Sequence, residues 1–384
     1  MTRRRVAVIT GSRSEFGLLQ PVMEAIRGRP ELELLGPLVT GMHADRRFGY
    51  SAAQVVSAFP LAKELPMENP GRSGADQARA IAQGIRGFTD CFEELRPELV
   101  VVLGDRAEPF AAAVAAAHLR TALAHIHGGD VSRCGIDDSV RHAITQLAHV
   151  HFPATPASAE RIRRMGQAAW RVHVVGAPGL DALRAERIAT PDEIEKRTGM
   201  DPSLPFLVIL QHPDTTHSDT AAREIDALLT AAEKSGLAAA AIYPNSDPGH
   251  EAIVERLMAA ARQRTIRVFP SIERPVFLGL LSRCVALVGN SSCGIIECPA
   301  LGVPFVEVGT RQAGRERGAN ILSAKADASD ILRQIERARD PAFRESIRGA
   351  PHPYGDGHAG EKIAKVLAEL TIDERLLQKE LDFP

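Results

Sequence analysis

A short stretch near residue 290 combines residue types that bind a diphosphate with one that binds sugar hydroxyls. Asn290, Ser291 and Ser292 follow an apolar run that ends at Gly289. Small polar residues at this place typically begin a helix and leave its first backbone N–H groups for an anion. Glu297 is expected about two turns into that helix, where a carboxylate can accept hydrogen bonds from sugar hydroxyls. The turn therefore predicts binding of a phosphorylated sugar.

A basic loop follows the next apolar run, residues 303–308. Arg311, Arg315 and Arg317 lie within seven residues of one another. A solvent-exposed basic loop after a core helix is the alternative interpretation. The ordered series of strand, turn, helix, strand and basic loop favours a nucleotide-sugar site, because each part supplies a different contact to the same ligand.

Polar segments also follow several other apolar runs. In parallel α/β sheets, ligands bind beyond the carboxyl ends of the strands, so these segments are the candidate site. They are GSRSEFG (11–17), GDRAE (104–108), HIHGGD (125–130), QHPD (211–214) and YPNSDPG (243–249).

Composition excludes several classes of protein. The 384-residue chain has a formal charge of −2, and 4% of its residues are aromatic, so neither a nucleic-acid partner nor a membrane partner is expected. The five cysteines form no Cys-x-x-Cys pair. We find no signal peptide and no apolar run of membrane length, which predicts a reduced, cytoplasmic protein.

Strand and helix patterns alternate along the chain, which predicts an α/β fold with two Rossmann-like domains. The expected strands are 5–10, 32–40, 99–104, 121–127, 150–153, 171–176, 206–211, 239–243, 266–270, 285–289 and 303–309. The expected helices include 17–27, 75–95, 107–119, 360–370 and 372–380. Gly and Pro in VGAPGLDAL (175–183) suggest a hinge. The expected domains are 1–178 and 179–370, with a helix in 371–384 that packs back on the first domain.

In this order, the segments resemble the hydrolysing UDP-N-acetylglucosamine 2-epimerases of sialic acid and related nonulosonic acid synthesis. The resemblance covers nearly the whole chain, and further motifs that carry it are GMHADRRFG (41–49), IDDSVRHAITQLAHVHF (136–152), GNSSCGIIE (289–297) and GTRQAGRERGAN (309–320). It implies a GT-B-like fold with a UDP-sugar in the interdomain cleft, and a homo-oligomer, either a dimer or a tetramer. It also implies a reaction with no metal and no cofactor. UDP leaves by anti elimination, and water then adds to a 2-acetamidoglycal to release a manno-configured sugar.

The resemblance assigns roles to individual residues. Arg13, Ser291, Ser292 and Arg311 would bind the phosphates, and Glu297 the uridine ribose. Further contacts to substrate or UDP are expected from Glu15, His43, His142, Asn245 and Asn290.

Proton transfer at carbon 2 of the sugar needs tuned acid–base groups, because no neighbouring carbonyl acidifies that proton. The resemblance assigns this chemistry to Asp105, Asp137 and His212. Asp137 is expected at a helix N-terminus, which favours its ionised form. The chain departs from the family at His127, where members carry a catalytic glutamate. Either His127 itself or Asp130 replaces that carboxylate.

Several of these residues have structural alternatives. The pairs His125–His127 and His149–His151 could each ligate zinc, but we expect ordinary hydrogen-bonded histidines. Arg106 and Glu108 are equally consistent with an ion pair at a helix start. Arg141 and His142 would either hold their loop or touch substrate, Glu15 would either bind ligand or cap its turn, and Cys293 and Cys298 are expected to be buried.

Three other functions fit the same residues. The first is the same reaction on a UDP-2,4-diacetamido-2,4,6-trideoxyhexose. The second is a GT-B glycosyltransferase, against which the carboxylates at 105 and 137 count. The third is a non-catalytic sugar-nucleotide sensor, suggested by the lost carboxylate at position 127.

Overall fold

The computed structural model describes residues 3–44, 50–59, 63–65, 67, 74–131, 136–185, 187–214, 218–244, 249–262 and 265–382. The side chains of residues 13, 14, 54, 63, 185 and 218 lie outside this description. The chain divides into two compact units. Unit 1 comprises Met1–Val131, Ile136–Arg184 and Tyr354–Pro384, and unit 2 contains Ala185–Pro353.

Unit 1 is built on a parallel six-stranded sheet. In chain order its strands are β1 (Arg4–Thr10), β2 (Leu32–Val39), β3 (Lys63–Glu64), β4 (Leu99–Leu103), β5 (Ala122–Ile126) and β6 (Val150–Phe152). Their order across the sheet is β3-β2-β1-β4-β5-β6. The central strands β4 and β5 are buried along their whole length, as expected of a parallel sheet covered on both faces.

Helices cover this sheet. They are α1 (Arg13–Arg27), α2 (Ala52–Ala58), α3 (Gly74–Leu95), α4 (Ala107–His118), α5 (Asp137–Leu147), α6 (Pro156–Arg164) and α7 (Pro178–Ala185). Helix α1 begins four residues before the expected position, because the Ser12 side chain caps it by accepting from the Glu15 N–H.

Unit 2 is also built on a parallel six-stranded sheet. In chain order its strands are β7 (Phe206–Leu210), β8 (Ala238–Ile242), β9 (Ile266–Phe269), β10 (Ala286–Gly289), β11 (Phe305–Val308) and β12 (Ile321–Ala324). They pair in parallel in the order β12-β11-β10-β7-β8-β9. The helices are α8 (Pro191–Thr198), α9 (Ala221–Lys234), α10 (His250–Ala260), α11 (Arg274–Leu281), α12 (Cys293–Ala300), α13 (Ala328–Arg339) and α14 (Pro341–Ile347). The predicted α/β class with two Rossmann-like sheets is confirmed.

The secondary structure differs from the sequence prediction at a few elements. The strand expected at 171–176 is wrong, because a short 3-10 helix spans Ala169–Arg171 and Val172 makes only an isolated bridge to His151. The edge strands β3 and β12 were not predicted. Of the expected helix 372–380, only α16 (Glu374–Leu377) forms.

The end of the chain packs on unit 1. Helix α15 (Ala359–Glu369) contributes Ile363 and Leu367 to the same apolar cluster as Val22 and Ile26 of α1. The Asp382 N–H donates to the Gly166 carbonyl at 2.7 Å. The return to unit 1 therefore occurs before the boundary at residue 370 that the sequence suggested. Among the described residues, no helix is both long and apolar enough to cross a bilayer.

Candidate active site

In unit 1, Arg141 contacts three segments, which are the loop after β4, the loop after β5 and the first turn of α5. Its side chain is 3% exposed and donates to the Asp105 carboxylate, to Asp138 Oδ1 and, at 2.8 Å, to the Asp130 carbonyl. Asp105 follows β4, and Asp130 follows β5. Of the two roles left open for Arg141, the structure supports the one in which it holds the loop.

His127 and Asp130 form a second polar pair beside this arginine. His127 Nδ1 lies 2.9 Å from Asp130 Oδ2, and both side chains are nearly buried. The Ser158 hydroxyl donates to the other oxygen, Asp130 Oδ1, at 2.8 Å. A carboxylate that accepts from Nδ1–H fixes the tautomer in which Nε2 carries the lone pair and acts as a base.

The backbone places His127 outside the strand. β5 ends at Ile126, and His127 has a φ of +61°, in the left-handed region that few residues with a side chain adopt. The alternation expected over residues 121–127 therefore stops one residue early, and His127 projects from a turn. Such a strained position is typical of functional loops.

His125 has a structural role. Its Nε2 lies 2.8 Å from the Gly104 carbonyl and its Nδ1 lies 3.1 Å from the Thr145 hydroxyl. Burial lowers its pKa to about 4, so the neutral ring donates from Nε2 and holds Gly104 in place directly before Asp105. Both ring nitrogens are thus engaged, which argues against the zinc pair with His127.

The first turns of α5 carry the other predicted groups of this unit. Asp137 is the first residue of the helix, so the expectation that it lies at a helix N-terminus is confirmed. His142 is half-buried, and burial lowers its pKa despite the opposing charge of Asp138. Arg161 adds positive charge beside His142.

Two residues that were expected to contact ligand, His43 and Glu15, are buried. His43 is fully buried, with its ring nitrogens 3.1 Å from the Thr10 hydroxyl and 2.7 Å from the Ser51 hydroxyl. Glu15 is 4% exposed, and its Oε2 accepts from the Gly11 N–H at 2.6 Å. Glu15 therefore supports the GSRSEFG turn rather than lining its surface.

In unit 2, Asn290 forms two hydrogen bonds with the backbone of His212, the second residue after β7. Its Oδ1 accepts from the His212 N–H at 2.7 Å, and its Nδ2 donates to the His212 carbonyl at 2.8 Å. Because both ends of the amide are used, Asn290 holds the QHP segment against the serine turn. The structure thereby brings together two motifs that are far apart in the sequence.

The serine turn, residues 290–292, follows a glycine that no other residue could replace without strain. Gly289 has a φ of +144° and its Cα lies against the Leu210 carbonyl, where a Cβ has no room. Ser292 is the N-cap of α12, but its side chain makes no capping hydrogen bond. Ser291 is 6% exposed, and its hydroxyl accepts from Cys293 Sγ at 3.2 Å. Both hydroxyls therefore lie at the start of α12, as the prediction of an anion site requires.

Two of the three loop arginines, Arg311 and Arg317, have different partners. Arg311 Nη1 lies 3.4 Å from the Asn290 carbonyl, which also accepts from Gln312 Nε2 at 2.9 Å. Arg317 instead pairs with the buried Glu307 on β11, with Nη2 3.0 Å from Oε1. Arg311 is thus the arginine placed at the serine turn, whereas Arg317 links the loop to the sheet.

Glu297 lies one turn, not two, into α12, because the helix begins only at Cys293. Its Oε1 accepts from Arg274 Nη2 at 2.6 Å, and its side chain is 9% exposed. Arg274 begins α11 and holds the carboxylate in one orientation. A carboxylate fixed in this way is suited to accept from ribose hydroxyls.

Some partners were not predicted. Asp138 and Gln312 are sequence neighbours of the predicted Asp137 and Arg311, whereas Ser158, Arg161 and Arg274 lie more than 20 residues from the residues they contact and left no local signal. Asn245 and the side chain of Arg13 lie outside the described residues. Arg106 Nε lies 3.5 Å from Glu108 Oε2, so the ion pair proposed for them forms. Cys293 and Cys298 are buried, as expected. Within the described ranges, no group of three or more His, Cys, Asp or Glu side chains could hold a metal ion.

Two parallel six-stranded Rossmann-like sheets, each with its polar segments at the strand ends, define a GT-B-like protein. The chain belongs to the UDP-N-acetylglucosamine 2-epimerase family, whose model matches residues 24–368.

Curated relatives agree with this assignment, and a solved structure shares the fold. The chain is 32% identical to the UDP-N,N'-diacetylbacillosamine 2-epimerase (hydrolyzing) of Legionella pneumophila over 378 residues, which are 98% of each protein. It is also 32% identical to the UDP-N-acetylglucosamine 2-epimerase of Neisseria meningitidis over 343 residues, 87% of each. A crystal structure of a UDP-GlcNAc 2-epimerase from Neisseria meningitidis, bound to UDP-GlcNAc, has a TM-score of 0.82 at 20% identity and covers 95% of this chain and 100% of that one.

Proposed function

We propose that this chain is a hydrolysing 2-epimerase that converts UDP-N-acetylglucosamine and water into N-acetylmannosamine and UDP. One observation carries the proposal. Unit 1 holds a carboxylate, Asp105, and an oriented imidazole, His127, on the network of one buried arginine, Arg141. Acid–base groups fixed in this way are what a proton transfer at an unactivated carbon requires.

The reaction proceeds in two stages. Loss of the carbon 2 proton accompanies anti elimination of UDP and gives a 2-acetamidoglycal. Water then adds across the double bond, with a proton delivered to carbon 2 from the other face. Asp105, Asp137 and the His127–Asp130 pair are the proposed proton carriers of unit 1, with His127 Nε2 in the role that the family's glutamate fills elsewhere.

Unit 2 is proposed to bind the leaving group. Ser291, Ser292 and Arg311 supply donors to the diphosphate, and Glu297, held by Arg274, accepts from the ribose. Arg13, which follows the Gly11–Ser12 turn of unit 1, is a further proposed diphosphate ligand. The positive charge of these arginines stabilises the negative charge that develops on the diphosphate as its bond to carbon 1 breaks. His212, clasped by Asn290, is a further proposed catalytic group.

A second candidate substrate is UDP-N,N'-diacetylbacillosamine. One observation supports this second candidate. The relative that is named for this sugar nucleotide aligns over 98% of the chain, whereas the Neisseria meningitidis relative aligns over 87%. We further propose that the protein is cytoplasmic and that it forms a homo-oligomer. Light scattering of the purified protein would test the oligomeric state.

Proton NMR of reactions with each UDP-sugar separates the possibilities. Release of UDP together with the free 2-epimerised sugar supports the proposal, and the faster of the two substrates identifies the sugar. A product that is still a UDP-sugar, epimerised at carbon 2, would show that the enzyme does not hydrolyse its substrate.

Two other outcomes would indicate the rival functions. Transfer of the sugar to an added acceptor, with no turnover in its absence, would indicate a glycosyltransferase. Binding of a UDP-sugar with no product at all would indicate a sensor.

A further inference from the structure

A group of polar side chains is buried under the carboxyl ends of β1 and β2, and no step proposed above uses it. Glu15 on α1 and Glu108 on α4 are each 4% exposed. Thr10 and His43, both fully buried, lie in the same region. Two carboxyl groups in such a place are costly unless their charge is reduced or compensated.

Both carboxyl groups lie against Gly11. Its N–H donates to Glu15 Oε2 at 2.6 Å, and a Cβ on the same residue would lie 2.6 Å from Glu108 Cδ. A Cβ on Gly41, which has a φ of +60°, would likewise collide with the Glu108 carboxylate. The Glu108 carboxyl thus fills the space that two glycines leave open.

Among the described residues, the donors around these groups are too few for two carboxylates. Glu15 Oε1 and Glu108 Oε2 are both buried, and neither accepts a hydrogen bond from a described residue. Arg106 approaches Glu108 Oε2 through Nε at 3.5 Å. His43 also faces Glu108, but burial lowers its pKa to about 4, so it brings no charge at neutral pH.

Electrostatics agree with this shortage of donors. Burial, followed by the charge of Glu108, raises the pKa of Glu15 to about 8, and Arg106 opposes the shift only partly. Among the described residues, the charged or titratable groups that face the two carboxyls are therefore Arg106 and His43.

We propose that Glu15 and Glu108 share one proton and, as a carboxylic acid–carboxylate pair, position the Gly11–Ser12 turn that begins α1. The proton comes from solvent and returns to it in alkaline solution, which leaves two adjacent buried anions. The proposal also rests on the proposed function, because this turn precedes Arg13, a predicted ligand of the diphosphate. Both glutamates are positioning residues, since neither reaches the surface of the turn.

Infrared difference spectroscopy tests the shared proton without any ligand. At neutral pH the wild-type protein should show the carbonyl band of a protonated carboxyl group, and this band should disappear above about pH 9. Glu15→Gln should remove the band, whereas the control Glu33→Gln, an exposed residue on β2, should keep it. A wild-type spectrum with no such band at pH 7 would overturn the proposal.

The pH dependence of UDP affinity tests the positioning role. In calorimetry, the wild-type affinity should fall about tenfold between pH 7 and pH 9, as expected for one required proton of pKa near 8. Glu15→Gln or Glu108→Gln should flatten this dependence, because the amide remains neutral, and Glu33→Gln should keep it. Variants with the full wild-type dependence would refute the positioning role. If the wild-type protein binds no UDP at pH 7, the proposed function fails, while the infrared result still decides the shared proton.

Discussion

The Arg141 guanidinium donates to the carboxylate of Asp105 and, through its other terminal nitrogen, to Asp138. Asp105 stands at the end of β4, and Asp138 lies on the first turn of α5. One buried cation thus holds two carboxylates, of which the sequence marks only Asp105 as catalytic. The arrangement supplies a matched pair of substitutions.

We expect Asp105→Asn to lower kcat by about 10²-fold or more with UDP affinity nearly unchanged, because general acid–base groups typically contribute about 10²–10⁴-fold. Asp138→Asn removes the other carboxylate on the same arginine, and it should lower kcat far less. Steady-state kinetics and calorimetry of the two variants measure this difference. Equal losses would mean that both carboxylates only hold Arg141.

Arg311 and Arg317 provide a second matched pair. Arg311→Ala should weaken UDP binding about tenfold or more, because a charge-assisted contact to phosphate is worth about 1.5–3 kcal/mol. Arg317→Ala leaves the buried Glu307 without this partner and should lower the free energy of unfolding by about 1–3 kcal/mol, with little effect on UDP affinity. Calorimetry and urea denaturation separate the two effects. The assignment of Arg311 fails if its replacement leaves UDP affinity unchanged.

The different partners of Arg311 and Arg317 show which features of this site can be predicted from the sequence. The strands around Gly289 and Val308 follow from apolar runs and glycines, so the turn and its loop were predicted in place. Which arginine meets the turn depends on β12, a short edge strand whose Ser323 contacts Arg317. Edge strands carry weak patterns, and this one was not predicted.

The same limit applies to Glu15 and His43 in unit 1. Their positions after strands suggested contact with a ligand, and they lie on the helical turns that follow β1 and β2. Their burial depends on Glu108 and Ser51, which other segments of the chain supply. Long-range contacts of this kind leave no local signal. His212 and Asn290 were each predicted because they follow strands, but their mutual contact depends on the pairing of β7 with β10, which the sequence did not predict.

The buried histidines predict a loss of stability in acid. Burial lowers the pKa values of His43 and His125 from 6.5 to about 4, so the unfolded chain binds protons that the folded chain does not. The contribution of these histidines to stability is therefore complete above pH 6.5 and declines as the pH falls toward 4, by about 3 kcal/mol for each histidine. In urea denaturation, the stability difference between wild type and His43→Gln should shift by about this amount across that range. The exposed His118→Gln should show no such shift, and a similar pH dependence in both variants would contradict the assignment.

Activity should survive removal of divalent metals. The proposed groups are organic acids and bases, and both ring nitrogens of His125 are already engaged by Gly104 and Thr145. After dialysis against EDTA, with metal content checked by mass spectrometry, kcat should equal that of the untreated protein. Loss of activity that Zn²⁺ or Mn²⁺ restores would assign the chemistry to a metal site.

The last prediction concerns His127 and Asp130, the pair proposed in place of the glutamate that the family resemblance implies. If His127 Nε2 carries the proton and Asp130 orients the ring, His127→Gln should lower kcat by about 10²–10⁴-fold, and Asp130→Asn should be nearly as severe because it disturbs the tautomer. His127→Glu should be less severe than His127→Gln, since it places a carboxylate where the family resemblance implies one. Ser158→Ala, which removes only a donor to Asp130, should lower kcat much less and serves as the control.

Turnover in D₂O gives an independent readout, because elimination and hydration place solvent deuterium at carbon 2 of the released sugar. A sugar released without deuterium there, or with its original configuration, would mean simple glycosidic hydrolysis and would overturn the mechanism.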